Sequence, residues 1–270
     1  MQTSRARGCD AGPHGEYGPH GRESFGHGTD PRGTAKAWGT AQEPAALFAL
    51  LHHFRESHLL ECGLCPILPA SLPAGWNVAG PECPPLGASP DGILQLPIDP
   101  GGGLEARLAA ALPDVWEACR ARGDGAVTAV VEIKSVSPFR ELQRTRTPKY
   151  RLIDAQPREA VRVLDVPQLQ LHLLATGAPF ALYLSHSASN GAAVYVMRSD
   201  GAYQRRMLEL AASFVRDYVA PGRPPPPDFN HGREGFQAFL AKTRELARSA
   251  KLLAATNPAV MRGCDTPPFL

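Results

Sequence analysis

Runs of apolar residues, some repeating at helical spacing and others almost continuous, predict the elements of this chain. Helices are expected over about 40–58, 166–176, 200–219 and 233–254, and strands over about 76–80, 86–96, 127–136, 180–186 and 192–198. Pro167 in the first turn and Gly177 after the last residue delimit the second helix, while a Ser-Asn-Gly turn joins the last two strands. The order helix, strands, helix, hairpin, helix predicts an α/β (α+β) domain with a mixed central sheet flanked by helices.

The other segments lie around or within that domain, which we place at 37–220. Residues 1–36 are rich in Gly, His and Arg and poor in apolar residues, so we expect a disordered tail. A targeting peptide is the alternative, against which the acidic residues of this segment count. An insert over about 97–126 contains an apolar stretch interrupted by a proline, and we expect it to loop out and to be removable. A proline-rich linker at 221–230 precedes a C-terminal helix and tail at 231–270.

Composition narrows the classes of function. A formal net charge of +2 argues against a wholly electrostatic nucleic-acid binder, so DNA contact would need a local basic patch. No apolar run approaches the roughly 20 residues that span a bilayer, and the start lacks a secretory signal. We therefore expect an intracellular protein; nucleus, mitochondrion and plastid stay open. The six cysteines indicate free thiols, and a zinc site at Cys62, Cys65 and Cys83 lacks an evident fourth ligand.

Two short motifs could carry chemistry, the turn at 89–92 that contains Asp91 and the apolar segment that contains Glu132 and Lys134. On a strand alternate side chains share a face, so Glu132 and Lys134 point the same way and Ile133 points into the core. Two converging carboxylates suit Mg²⁺, and a nearby lysine can act on water or phosphate. Each motif alone is common, as a turn or as an ion pair. Their combination predicts metal-dependent cleavage of a phosphodiester.

Four segments, in order, resemble the motifs of the YqaJ-type viral recombinases and lambda exonuclease, including plant and algal relatives. They are AKAWGTAQEPAAL (35–47), LGASPDGIL (86–94), VVEIKSVSPF (130–139) and VPQLQLHLLATG (166–177). This branch belongs to the PD-(D/E)XK nucleases, which implies a restriction-endonuclease-like core over roughly 35–200. Two features depart from the pattern. Asp91 and Glu132 stand 41 positions apart, and Ser-Val-Ser follows Lys134 where the family usually has Cys-Pro.

The resemblance implies a nuclease that requires Mg²⁺ (or Mn²⁺) and acts as an exonuclease on the ends of double-stranded DNA. It implies Asp91, Glu132 and Lys134 as catalytic residues. Asp91 and Glu132 would bind the metal together with the carbonyl oxygen of Ile133. A homo-oligomer is expected at the level of the family alone. Two alternatives stay open, a catalytically silent nuclease fold that binds DNA or a partner and a structure-specific endonuclease.

Two further residues are assigned to the site by the same resemblance. Glu43 would be an additional catalytic carboxylate beside the metal, although Thr40-x-x-Glu43 also fits a helix-capping box. Gln168 would face the active site from its helix. Gln170 lies about 200° further around that helix, so the two glutamines should not both face the metal.

A basic stretch, 140–163, follows the Glu132–Lys134 segment and carries seven Arg and Lys against three Asp and Glu. Beside a metal site it would bind the phosphates of DNA. The residues assigned to that role are Arg140, Arg144, Arg146, Lys149 and Arg151. A solvated loop is the alternative.

Overall fold

The computed structural model describes residues 31–68, 72, 73, 76, 86–143 and 149–256. The strands are β1 His58–Leu60, β2 Cys65–Ile67, β3 Leu86–Ala88, β4 Gly92–Pro97, β5 Ala126–Ser135, β6 Phe139–Gln143, β7 Lys149–Leu152, β8 Phe180–Ser187, β9 Gly191–Arg198 and β10 Lys251–Thr256. The helices are α1 Pro31–His53, α2 Gly103–Ala111, α3 Pro113–Arg122, α4 Val166–Thr176, α5 Gly201–Phe214 and α6 Phe236–Ser249.

Six strands form the central sheet, in the order β1-β4-β5-β8-β9-β10. Neighbouring strands are antiparallel except β5 and β8, which run parallel and are connected through α4, as a parallel pair requires a crossover. The predicted mixed sheet flanked by helices is confirmed at this level. Two separate antiparallel pairs, β2 with β3 and β6 with β7, lie outside the sheet. No described helix is long and apolar enough to cross a membrane.

The central sheet separates two apolar cores, because side chains alternate along each strand. On β5, Val131 and Ile133 belong to the core formed with α1, α2 and α3, whereas Val130 belongs to the core formed with α4, α5 and α6. Glu132 shares the parity of Val130, so its carboxylate lies on the α4 side. β8 and β9 are buried along almost their whole length because both faces of the sheet are covered.

The segment predicted to be a removable insert is part of the first core, so that expectation is wrong. It forms α2 and α3, which meet at Leu112, with Pro113 at the start of α3. Leu108 and Trp116 are buried, and the ring of Trp116 stacks on Phe180 with centroids 5.9 Å apart. The apolar side chains of the two short helices cover one face of the sheet, which the glycine-rich opening of the segment did not reveal.

The first helix begins earlier than the sequence predicted, at Pro31 rather than near residue 40, and it ends at His53 rather than near 58. Residues 31–36 are therefore helical and not disordered. The indole N–H of Trp38 donates to the Val136 carbonyl at 3.2 Å, and its ring meets Phe139 edge-on. These contacts fix the first half of α1 against the start of β6. Residues 1–30 and most of the strand predicted at 76–80 lie outside the described residues.

The C-terminal region differs from the prediction of one helix over 233–254. α6 ends at Ser249, and Lys251–Thr256 forms β10, which pairs antiparallel with β9. Leu253 is buried in the first core while Leu252 is exposed, as alternation on an edge strand requires. Residues 221–228, which include the proline-rich stretch, are exposed. Phe229, which follows them, packs against Phe214 of α5 with ring centroids 5.1 Å apart.

Candidate active site

The strand register places Asp91 opposite Glu132. β4 begins at Gly92, paired with Val131, and the carboxylate of the preceding Asp91 accepts the Ile133 backbone N–H at 2.6 Å. The Asp91 side chain therefore extends the hydrogen bonding between β4 and β5 by one position before the first residue of β4. The two helices of the insert connect β4 to β5 at the end of the sheet that lies away from Asp91, where Pro97 pairs with Ala126. The 41 positions between the two acids therefore do not separate them in space.

Lys134 connects the carboxylate of Glu132 to α4. Its ammonium group donates to Oε1 of Glu132 and, at 3.1 Å, to Oε1 of Gln168. Glu132 is only 1% exposed, whereas the Lys134 side chain is 26% exposed. Gln170 points elsewhere, since its amide donates to the Arg198 carbonyl at 2.8 Å. The structure thus places the Gln168 side chain against Lys134 and the Gln170 side chain away from it.

His172 is a site residue that the sequence reasoning missed. Its Nδ1 lies 3.2 Å from Oε2 of Glu132, but the contact does not have the geometry of a hydrogen bond. Among the described residues, neither of these buried atoms has a hydrogen-bond partner. His172 stands four positions after Gln168, and residues at that spacing share a helix face. Once Gln168 is assigned to the site, this spacing indicates that His172 lies on the same face of α4, but it does not reveal the approach to Glu132.

Electrostatics draws Glu43 into the same cluster. Burial, together with the carboxylates of Glu132 and Glu43, raises the pKa of Asp91 to about 6, while the Ile133 N–H and Lys134 oppose the shift. Glu43 lies well inside α1, so it cannot cap the N-terminus of that helix, and the capping-box interpretation is wrong. Negative charge from α1, the 89–92 turn and β5 therefore converges at one end of the sheet.

The residues at this point fit a divalent cation with oxygen ligands. Oε2 of Glu132 is buried and has no hydrogen-bond partner in the described ranges of the chain. The carbonyl of Ile133 points to the same side as its N–H, toward Asp91, because both groups of a strand residue face one neighbour. Within the described residues no three His, Cys, Asp or Glu side chains are grouped to hold a metal. Mg²⁺ is commonly held by one or two carboxylates and several waters, which is what Asp91 and Glu132 can offer.

The basic stretch is partly a hairpin of β6 and β7 rather than a loop. Arg140 stands directly opposite Arg151 in its register, and Arg140, Lys149 and Arg151 are all exposed. Like charges directly opposite each other destabilise a strand pair, and a bound anion would relieve that repulsion. The other two residues assigned to phosphate binding, Arg144 and Arg146, lie outside the described residues.

The cysteine pair borders the site without forming a recognisable metal centre. The Cys62 thiol donates to the Pro90 carbonyl at 3.6 Å, immediately before Asp91. Burial and the neighbouring Cys65 raise the pKa of the Cys62 thiol. Cys83, the third residue of the zinc alternative, lies outside the described residues. The pair therefore supports the turn that carries Asp91.

A cavity of about 810 Å³ lies elsewhere in the molecule, between the end of α1, the start of α2 and β10. His53, Glu56 and Glu105 are among its lining residues, and none of the described candidate site residues lines it. Glu56 already accepts the Gly101 N–H, and Glu105 accepts the Glu56 N–H. The carboxylates of Glu56 and Glu105 thus accept hydrogen bonds from the backbone of the chain itself.

No protein-family model, curated protein or solved structure matches the chain significantly. The likeness to the YqaJ and lambda-exonuclease branch consequently rests on the four segments of sequence described above.

Proposed function

We propose that this chain is a Mg²⁺-dependent hydrolase of DNA phosphodiester bonds with a restriction-endonuclease-like core. The observation that carries the proposal is the meeting of Asp91, Glu132 and Lys134 at one end of the sheet, with the Asp91 carboxylate 2.6 Å from the backbone of the Glu-Ile-Lys segment. The same three residues are the ones that the family resemblance implies. The elements that carry its four segments follow in its order, on α1, β3–β4, β5 and α4.

Each residue of the site has a distinct role in this proposal. Asp91, Glu132 and the Ile133 carbonyl hold the cation, and Glu43 adds negative charge from α1. When bound, Mg²⁺ or Mn²⁺ supplies Lewis acidity and an activated water. Lys134, held between Glu132 and Gln168, stabilises the charge that develops on the phosphate or orients the attacking water.

The substrate is assigned from charge and from the resemblance. Arg140, Lys149 and Arg151 on the exposed hairpin are suited to the backbone phosphates of DNA, since their contacts require no particular base. The hairpin follows β5 directly, and its Phe139 contacts Trp38 of α1, the helix that also carries Glu43. An exonuclease acting on duplex ends is the mode that the resemblance favours.

The deciding experiment incubates the purified chain with linear and with circular duplex DNA, in Mg²⁺ and in EDTA. Loss of the linear form alone indicates an exonuclease, and loss of both indicates an endonuclease. Survival of both in Mg²⁺ would contradict the proposal and favour a DNA-binding module without turnover.

Two variants separate the role of Glu132, which would hold the cation, from that of Lys134, which would act on the phosphate or the water. Lys134→Ala should lose roughly 10²–10³ in cleavage rate and keep DNA binding, because its ammonium acts chiefly in the transition state. Glu132→Ala should lose both cleavage and Mn²⁺ affinity, because it removes a carboxylate ligand. Lys251→Ala, an exposed lysine on β10, is the matched control. Cleavage by Lys134→Ala at the wild-type rate would show that Glu-Ile-Lys is only an ion pair.

A further inference from the structure

We propose that His172 is a positioning residue that holds the Glu132 carboxylate in place for the cation. The proposal rests on the proposed function, since it assigns Glu132 the role of a metal ligand. The carboxylate is then fixed from two sides, with Lys134 at Oε1 and His172 at Oε2.

The first argument is the isolation of the two atoms. Glu132 and His172 are 1% and 3% exposed, and within the part of the chain that the structure describes neither Oε2 nor Nδ1 has a hydrogen-bond partner. A buried carboxylate oxygen without a donor is costly, and the donor at hand is the Nδ1–H, 3.2 Å away. A small rotation of either side chain turns this approach into a hydrogen bond.

The second argument is the way His172 is built into α4. Its backbone carbonyl accepts the Thr176 hydroxyl at 2.8 Å, and the helix is delimited by Gly177, whose positive φ of 70° ends it. Gln168, one turn earlier, holds Lys134. One face of α4 therefore presents two polar side chains to the two charged groups of the Glu-Ile-Lys segment.

The consequence concerns the cation. Each carboxylate oxygen can accept two hydrogen bonds or ligands, so a donor at each oxygen fixes the rotamer and still leaves room for the metal. Groups that orient a ligand in this way typically change metal affinity or activity by about 10–100-fold when they are removed. His172 thus sets the strength of the site without touching the substrate.

The test measures Mn²⁺ binding by calorimetry on the full chain without DNA. His172→Leu, which lacks a donor, should bind Mn²⁺ about 10–100-fold more weakly than the wild type. His172→Asn, whose amide N–H can stand where Nδ1–H stands, should recover most of the affinity. His186→Leu is the matched control, because His186 is also buried with an unpartnered Nδ1 but follows the parity of Leu184 on the opposite face of the sheet.

The outcomes distinguish this proposal from the function on which it rests. Unchanged Mn²⁺ affinity in His172→Leu, with cleavage intact, would overturn the role of His172 and leave the nuclease standing. Absence of Mn²⁺ binding in the wild type would overturn both. Nitrogen-15 NMR of the folded wild type gives an independent reading, since the proposal requires a proton on Nδ1. A ring protonated only at Nε2 would contradict it even if the Leu variant failed to fold.

Discussion

Replacing Asp91 by Asn should stabilise the metal-free protein at pH 8. The ionised Asp91 carboxylate is disfavoured by burial, by Glu132 and by Glu43, which together raise its pKa from 3.8 to about 6. Asn removes the charge but keeps a carbonyl oxygen that can accept the Ile133 N–H. The variant therefore removes the buried charge and its repulsion by Glu132 and Glu43, and it retains the hydrogen bond from the Ile133 N–H.

The size of the effect follows from that pKa. A rise from 3.8 to about 6 corresponds to about 3 kcal/mol at full ionisation. Since Asp91 is only half-buried, solvent screening reduces the expectation to about 1.5 kcal/mol. The sign is set by linkage. Because folding raises the pKa of Asp91, the wild type has its full free energy of unfolding below the unfolded-state pKa of about 4. It loses this contribution to stability as the pH rises through the folded-state pKa of about 6.

Urea denaturation in EDTA at a series of pH values from 4 to 8 measures this difference. The free energy of unfolding of Asp91→Asn should match that of the wild type near pH 4 and exceed it above pH 7. Asp99→Asn is the control, because Asp99 is exposed and pairs only with Arg120 at the surface; it should show no such gain. A variant no more stable than the wild type at pH 8 would refute the charge cluster around Asp91.

Three other changes test the fold and the basic hairpin. Trp116→Ala should lower the free energy of unfolding by about 3–5 kcal/mol, measured by urea denaturation; a loss below about 1 kcal/mol would mean that the insert is separable after all. Leu253→Ala should cost about 2–4 kcal/mol in the same assay, and a neutral result would contradict the pairing of β10. Replacing Arg140, Lys149 and Arg151 by Ala should weaken DNA binding and flatten its salt dependence, by roughly one unit of slope for each phosphate that the protein no longer neutralises; an unchanged slope in a fluorescence titration would exclude the hairpin.

Elements with strong local signals could be predicted from the sequence. α4 has the predicted bounds, because Pro167 favours the first turn and Gly177 supplies the left-handed residue that ends it. The shared face of Glu132 and Lys134 could also be anticipated, since alternate side chains of a strand point the same way. The approach of Asp91 to this segment was expected only from the order of the motifs, because the antiparallel register of β4 with β5 depends on pairing between distant parts of the chain.

Features that depend on distant partners could not be predicted. Residues 251–256 form an edge strand only because β9 offers a free edge, and their sequence alone continues the apolar pattern of α6. The helices of the insert are held by a surface made of strands from the rest of the chain, including Phe180 on β8. His172 was not identified from the sequence because a histidine in an apolar helix is more often a core residue. Its significance depends on Glu132, which lies on the neighbouring strand β5.

The hydrogen bond from Ile133 to Asp91 gives the site its own spectroscopic reporter. The Ile133 nitrogen lies 2.6 Å from Oδ2 of Asp91. The chemical shift of the amide proton between them changes when the carboxylate gains a proton or binds a cation. A single nitrogen-15 label at Ile133 would therefore follow the ionisation of Asp91 and the arrival of Mg²⁺ without an added probe and without substrate. Slow exchange of that same amide with deuterated solvent would show how firmly the carboxylate stays in the ladder.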